Sequence, residues 1–309
     1  MRKYLPIVVT LFVLGIIAYI MIEQKNKVIK ANNEIINNIG TFDKVKICSK
    51  PPQILQRLNI PQPVIIDLSQ KKYTGIAFHF GKNYEKVLQK KQWKQFEHFS
   101  TYTSDKKGNI YLVPTPYISI KPTTFNLQKN IYKLDSYTGN ISIFMHFDDV
   151  HPSPNNPYGI NAITYDCEDN TLWVAAIDES TYQTEKGVIY HIDIATKTIL
   201  QTVQDFDVLT MSIVKSSKGK YLLVGSAKNN GLYAYTIYNG RLNKKPLKLL
   251  ELPSANEHIR KIKIKEENTI ELQTISFSYT LIAQTTKDER SYYDFIWNES
   301  LVTWILNKN

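Results

Sequence analysis

The chain predicts an all-β fold, a β-propeller of four-stranded blades preceded by an amino-terminal transmembrane helix. Three observations predict it. Four stretches between Phe99 and Leu306 repeat one pattern: an apolar strand, an Asp/Asn/Gly/Lys turn, a second strand, a gap, a third strand, a polar turn and a fourth. Anchored on Ile110, Leu172, Leu222 and Ile270, these copies are spaced 62, 50 and 48 residues apart, a period that suits a propeller blade. Ahead of them, Tyr4 to Ile22 is an uncharged stretch of 19 residues.

That stretch has about the length a helix needs to cross a bilayer core of roughly 30 Å. Arg2 and Lys3 precede it, and Tyr4 and Tyr19 stand near its ends, where an amphipathic ring suits the membrane interface. A cleavable signal peptide would have a shorter apolar region of about 7–15 residues and a small-x-small cleavage site. The exit from Ala18 to Lys25 lacks that site, so residues 1–22 are expected to remain as a single-pass anchor. Basic residues nearly balance across the span, with Arg2 and Lys3 facing Lys25, Lys27 and Lys30. The short tail before the span, with the bulk of the chain after it, places the propeller on the extracytoplasmic side of the cell membrane.

Residues 23–63 are expected to form a stalk. Val28, Ile29, Ile35, Ile36 and Ile39 continue a helical pattern to Gly40, and Pro51, Pro52, Pro61 and Pro63 punctuate an extended linker. The propeller domain is assigned to residues 64–309. Val64 to Leu68 is its first strand, and Tyr73 to Phe80 alternates as a strand does. With the four copies, this region makes five blades, with six as the alternative. Pairing of Val64 to Leu68 with the Trp297 to Leu306 region would close the ring and protect its edges.

Among the copies, the second is the clearest: 156–166, the turn Cys-Glu-Asp-Asn, Thr171 to Ile177, 187–193, the turn Ile-Ala-Thr-Lys and Thr198 to Val203. The first carries the turns Asp-Lys-Lys-Gly-Asn (105–109) and Ser-Tyr-Thr-Gly (136–139). The third runs from Leu209 past Arg241, and the fourth spans 259–264, Thr269 to Thr274, 292–297 and Leu301 to Leu306. Tyr111, Tyr132, Trp173, Tyr190, Tyr233 and Trp297 sit at strand positions, where aromatic rings pack between blades.

Composition excludes little. The net charge of +10 comes from 38 basic and 28 acidic residues, but the lysines are scattered rather than gathered into a stripe, so nucleic acid is not an expected partner. The densest basic runs, 90–94 and 260–265, alternate like strands and read as solvated faces. Cys48 and Cys167 match no metal or redox spacing. They would pair in an exported domain or stay as two buried thiols.

Templates for catalysis are missing: there is no Gly-x-Ser-x-Gly elbow, P-loop, Gly-x-Gly-x-x-Gly or His-Glu-x-x-His. One cluster, His146-Phe-Asp148-Asp149-Val-His151, joins two blades ahead of a Pro-rich loop. Its imidazoles and carboxylates suit a metal or polar ligand, while the plainer reading is a solvated loop whose Asp residues make local turns. His146, Asp148, Asp149, His151 and Asn161 are the candidate ligand-binding residues, and no catalytic residue or resident metal is assigned.

The runs 157–166, 169–175 and 187–193 resemble the blade signature of NHL-type and SMP-30 (gluconolactonase)-like β-propellers. The resemblance is at the level of the fold, because its Gly, Asp and apolar positions serve turns and sheet packing. Its lactonase branch implies metal-assisted opening of a sugar lactone, with a divalent cation such as Ca²⁺ held in the central channel by carboxylates and an Asn. This chain lacks the Glu-Gly-Pro segment of that branch, and Asn161 stands near the expected Asn ligand. Two functions follow. The first is a membrane-tethered, non-catalytic binding or scaffolding module for a protein, peptide or cell-surface ligand, with no cofactor; the alternative is a metal-dependent lactonase or esterase-like hydrolase.

Overall fold

The computed structural model describes residues 38–44, 48–68, 73–96, 98–116, 125–280 and 290–307. The expected anchor Tyr4 to Ile22 and the stalk through residue 37 lie outside the described residues. Among the described residues no helix is long and apolar enough to cross a membrane. From Gly40 onward the chain forms one compact unit.

Five antiparallel sheets succeed one another along that unit, making a five-bladed β-propeller. The first blade holds β1 (Ile65–Asp67), β2 (Ala77–Phe80) and β3 (Lys86–Leu88). The second holds β4 (Phe99–Ser104), β5 (Ile110–Pro114), β6 (Asn130–Leu134) and β7 (Ile141–His146). The third holds β8 (Ile160–Asp166), β9 (Thr171–Ala176), β10 (Val188–Asp193) and β11 (Ile199–Gln204). The fourth holds β12 (Val208–Ser216), β13 (Gly219–Ser226), β14 (Gly231–Tyr238), β15 (Arg241–Leu242) and β16 (Leu247–Glu251). The fifth holds β17 (His258–Glu266), β18 (Thr269–Ile275), β19 (Tyr292–Asn298) and β20 (Thr303–Leu306).

Period-two burial on both faces explains the stacking. Every residue of β9 is buried; Leu172, Val174 and Ala176 join the core shared with the second blade, while Trp173 and Ala175 join the core shared with the fourth. A strand sandwiched between two sheets reads as a continuous apolar run for this reason. Polar turns end the strands. Asp135 Oδ1 accepts from the backbone N–H of Tyr137 and Thr138, and Asp193 Oδ1 accepts from the N–H and hydroxyl of Thr196. Those backbone donors hold both carboxyls below the ordinary Asp value.

Five expectations require correction. Among the described residues the first blade has three strands, and the basic run at 90–94 is a 3₁₀ turn rather than a strand. There Trp93 is fully buried, lies edge-on to Phe78 at 5.5 Å and donates its indole N–H to Gly139 O at 2.7 Å. Seating that ring overrides the Lys/Gln alternation. The outer edge of the fourth blade is broken into β15 and β16, both paired with β14; Pro246, which has no N–H to give a ladder, lies between them.

The linker is not extended throughout, because α1 (Gln53–Arg57) buries Ile54 and Leu55 in the core between the first two blades. Nor does β1 complete the last blade. Among the described residues β1 pairs with β2 and β20 with β19. A strap ahead of the first blade ties the ring instead. Phe42 N–H donates to Glu267 O and Asp43 N–H to Lys215 O, both at 2.7 Å, and Phe42 stacks on Trp304 at 4.9 Å. Cys48 forms a disulfide with Cys167, their Cα atoms 6.2 Å apart. Lys50 N–H donates to Asp105 O at 3.2 Å, and Ile54 N–H to Ser136 O at 2.8 Å. The strap therefore touches the fifth, fourth, third and second blades in turn, along the end that carries their first turns.

Candidate functional site

In an antiparallel blade, the loops between second and third strands and the inter-blade connections emerge at the end opposite those turns. The strap lies on the turn end. The other end is a mouth built from 147–159, 177–187, 205–207, 227–230, 252–257 and 276–280.

Just inside this mouth, each of four first strands carries a bulge at the same place in its register. The register slips between Phe99 and Thr101, Ile160 and Ala162, Val208 and Thr210, and Ile259 and Lys261. Ser100, Asn161, Leu209 and Arg260 are the extra residues, and a bulge re-aims such a side chain. Arg260 Nη1 donates to Leu209 O at 3.1 Å and Nη2 to Ser100 O at 3.2 Å. Its guanidinium thus links first strands of the fifth, fourth and second blades across the ring axis. It keeps part of its accessible surface. Desolvation weakens its hold on the proton, opposed by Tyr158 and reinforced by Arg290, but a guanidinium stays charged regardless.

Asn161 Nδ2 donates to Val208 O at 2.6 Å. This contact fixes the amide orientation, since the oxygen would repel a carbonyl. Asn161 Oδ1 is buried without a hydrogen-bond partner.

Asp207, fully buried ahead of β12, clamps the mouth loops. Its Oδ1 accepts from Ser180 Oγ and its Oδ2 from the Tyr279 hydroxyl, each at 2.6 Å. Its N–H donates to Glu185 Oε1 at 2.7 Å, and Lys228 Nζ reaches the carbonyls of Thr181 and Tyr182. Burial pushes the carboxyls of Asp207 and Glu185 upward. Around this clamp Phe277 meets Tyr158 and Tyr279, both at 5.2 Å, and His258 at 5.8 Å; Tyr182 meets Tyr279 at 5.4 Å. Burial pushes the Tyr158 hydroxyl up to about 12, so it is neutral near pH 7. Burial also lowers His258, keeping that ring neutral.

The hexapeptide expected to bind a ligand keeps one internal contact, between His146 and Asp148, and otherwise meets residues outside itself. His146, at the end of β7, contacts Asn130 Oδ1 through Nδ1 at 2.7 Å and Asp148 through Nε2 at 3.3 Å. Asp149 Oδ2 accepts from the Tyr190 hydroxyl at 2.9 Å. His151 N–H donates to Asp178 Oδ1 at 2.6 Å. Asn161 lies apart from them on β8, in the layer of Arg260. Among the described residues no three His, Cys, Asp or Glu side chains gather as a metal site would need.

Sequence reasoning did not single out Asp207, Tyr279 or Arg260. A carboxylate between Phe206 and Val208 at a strand start was the visible signal for the first, since Asp there must be either solvated or clamped. Arg260 belonged to a run read as a solvated face; Lys261, Lys263 and Lys265 are exposed as that reading requires, while the bulge turns Arg260 into the channel.

No family model matches the chain, and no curated protein matches it. Among solved structures it is similar to a protein of unknown function from Bacteroides caccae, at 12% identity and a TM-score of 0.42, over 74% of this chain and 73% of that one. A glucose dehydrogenase is similar at 14% identity and a TM-score of 0.42, over 76% and 78%. The dihydro-heme d1 dehydrogenase NirN is similar at 8% identity and 0.34, over 78% and 63%. Likeness at this level carries no argument about activity.

Proposed function

We propose that this chain is a membrane-tethered β-propeller that binds a ligand at the mouth of its axial channel without turning it over. The observation that carries the reading is the preorganised mouth: one buried carboxylate, Asp207, locks the loops of the third and fifth blades to the start of the fourth, and an aromatic shell surrounds it. Rigid support under an apolar surface with a few convergent polar groups is what recognition requires. The partner is a protein, peptide or cell-surface ligand, one group of which enters the mouth.

Residues 4–22 supply the tether. The Cys48–Cys167 disulfide supports an extracytoplasmic location, because such bonds persist in oxidising compartments. Lactone hydrolysis would need several carboxylates around one cation, and the described residues assemble no such set.

The test uses the full chain, purified in detergent. Molecules retained by the protein are identified by mass spectrometry before and after incubation, and their effect on the melting temperature is measured, since a ligand of the native state raises it by mass action. Recovery of an intact ligand, with the shift lost in Tyr182→Ala, is the expected result. Lactone or ester hydrolysis that EDTA abolishes would overturn the proposal.

A further inference from the structure

Resting on that reading, we propose that the group entering the mouth is a terminal carboxylate flanked by its own amide N–H, as at the end of a peptide or in a free N-acyl amino acid. Arg260 receives the carboxylate and Asn161 Oδ1 accepts the N–H.

Among the described residues the charge of Arg260 is unbalanced. Of the N–H donors on a guanidinium, those of Arg260 that are bonded reach two neutral backbone carbonyls, Leu209 O and Ser100 O. Among the described residues its ionisable neighbours are Tyr158, neutral at pH 7, and Arg290, a second cation. No described carboxylate acts on it. A buried cation to which the described residues offer no counter-ion is costly, and pairing it with an anion relieves that cost. A planar fork of donors suits a carboxylate in geometry as well as charge.

Asn161 adds a second, independent demand. It is 7% exposed, its amide nitrogen is committed to Val208 O, and its buried oxygen has no partner. Buried acceptors are seldom left empty, so the position calls for a donor from outside the described residues. Val208 O and Leu209 O, which hold Asn161 and Arg260, belong to consecutive residues whose Cα atoms stand about 3.8 Å apart. The acceptor and the cation are therefore anchored on adjacent residues of β12. A ligand that satisfies both presents an oxyanion and, close by, an N–H. The rings of Tyr158 and Phe277 then receive an apolar side chain.

Full-length protein in detergent is titrated calorimetrically with N-acetyl-phenylalanine, with its carboxamide and with its N-methyl derivative, and the melting temperature is followed in parallel. The free acid is expected to bind and raise the melting temperature. Loss of the carboxylate or of the N–H should each weaken binding about tenfold or more. Arg260→Gln keeps an amide donor for the carbonyls but removes the charge, and should abolish the preference for acid over amide. If that variant does not fold, the acid-against-amide comparison in the unaltered chain decides alone.

Equal binding of acid and amide would overturn the carboxylate assignment while leaving ligand binding at the mouth intact. Failure of all three probes, with a retained ligand still protected by Tyr182, would do the same. An N-acetylated hexapeptide ending in phenylalanine, with a free or amidated end, separates the two sources. Tighter binding of the free-ended hexapeptide than of the single amino acid points to a protein terminus, and no gain points to a small metabolite.

Discussion

Asp207 shows how one residue can organise loops from three blades. Its partners are hydroxyls and a backbone N–H rather than cations, and burial holds its carboxyl above the ordinary Asp value. A group with a raised folded pKa contributes stability that is complete below its unfolded value, about 4, and is lost as pH rises through the folded value. Asp207→Asn removes the charge and should therefore flatten this part of the pH dependence above about pH 4, with no loss of stability at neutral pH. Asp207→Ala leaves the Ser180 and Tyr279 hydroxyls unpaired and should cost about 3 kcal/mol. Denaturant melts of both variants from about pH 4 upward check the pair: a slope unchanged in Asp207→Asn would show that Asp207 does not act as the clamp.

Among the elements, the strap is what the repeat pattern could not announce. The copies repeat because each blade solves the same packing problem, whereas the strap occurs once and holds by backbone bonds to turns. Its disulfide closes a sequence separation of 119 residues, for which loop-entropy arguments give about 4–5 kcal/mol. Replacing both Cys48 and Cys167 by Ser should lower the melting temperature accordingly, and reducing agent should lower that of the unaltered protein but not of the variant. Gly108 is the strap's seat: its φ is +83°, and a Cβ there would lie 2.6 Å from Pro51 O. Gly108→Ala should destabilise by roughly 2 kcal/mol, read as a shifted urea midpoint with an unchanged slope.

The strands of the third blade were legible almost to the residue, because a strand buried on both faces writes its period and apolar run directly into the chain. The 3₁₀ turn at Lys91–Gln95 was not, since a half-polar run alternates equally well in several conformations until Trp93 has a core to enter. Of the candidate site residues, Asn161 was singled out because it stands near the Asn ligand that the lactonase resemblance implies. His146, Asp148, Asp149 and His151 drew notice as a chemical cluster; His146 faces Asp148, while Asp149 meets Tyr190 and His151 meets Asp178.

For the molecule as a whole, the turns set its response to acid. Asp135 and Asp193 are held below the ordinary value by turn hydrogen bonds. Burial lowers His191, which stacks on Trp173 at 3.8 Å. Groups with depressed folded values contribute stability that is complete above their unfolded values and lost as pH falls toward the folded ones. Stability should thus decline below about pH 6.5 through His191 and again below about pH 4 through the two carboxylates. Asp193→Asn should blunt the second step, as followed by circular dichroism in an acid titration. In cells, alkylation of the intact protein under acid quench should find Cys48 and Cys167 protected until reductant is added; free thiols would place the propeller in a reducing compartment and remove the support for export.

By itself the sequence determined that the domain is all-β, that its blades recur about every 50–60 residues and where most strands and turns fall, because those features arise from local periodicity and turn chemistry. Tertiary structure alone decided how the ring is tied, which polar residues meet, and that one arginine of a basic run faces the axis. These depend on bulges and on contacts between segments far apart in the chain, and no local pattern encodes the neighbour that a side chain finds only after the blades have packed.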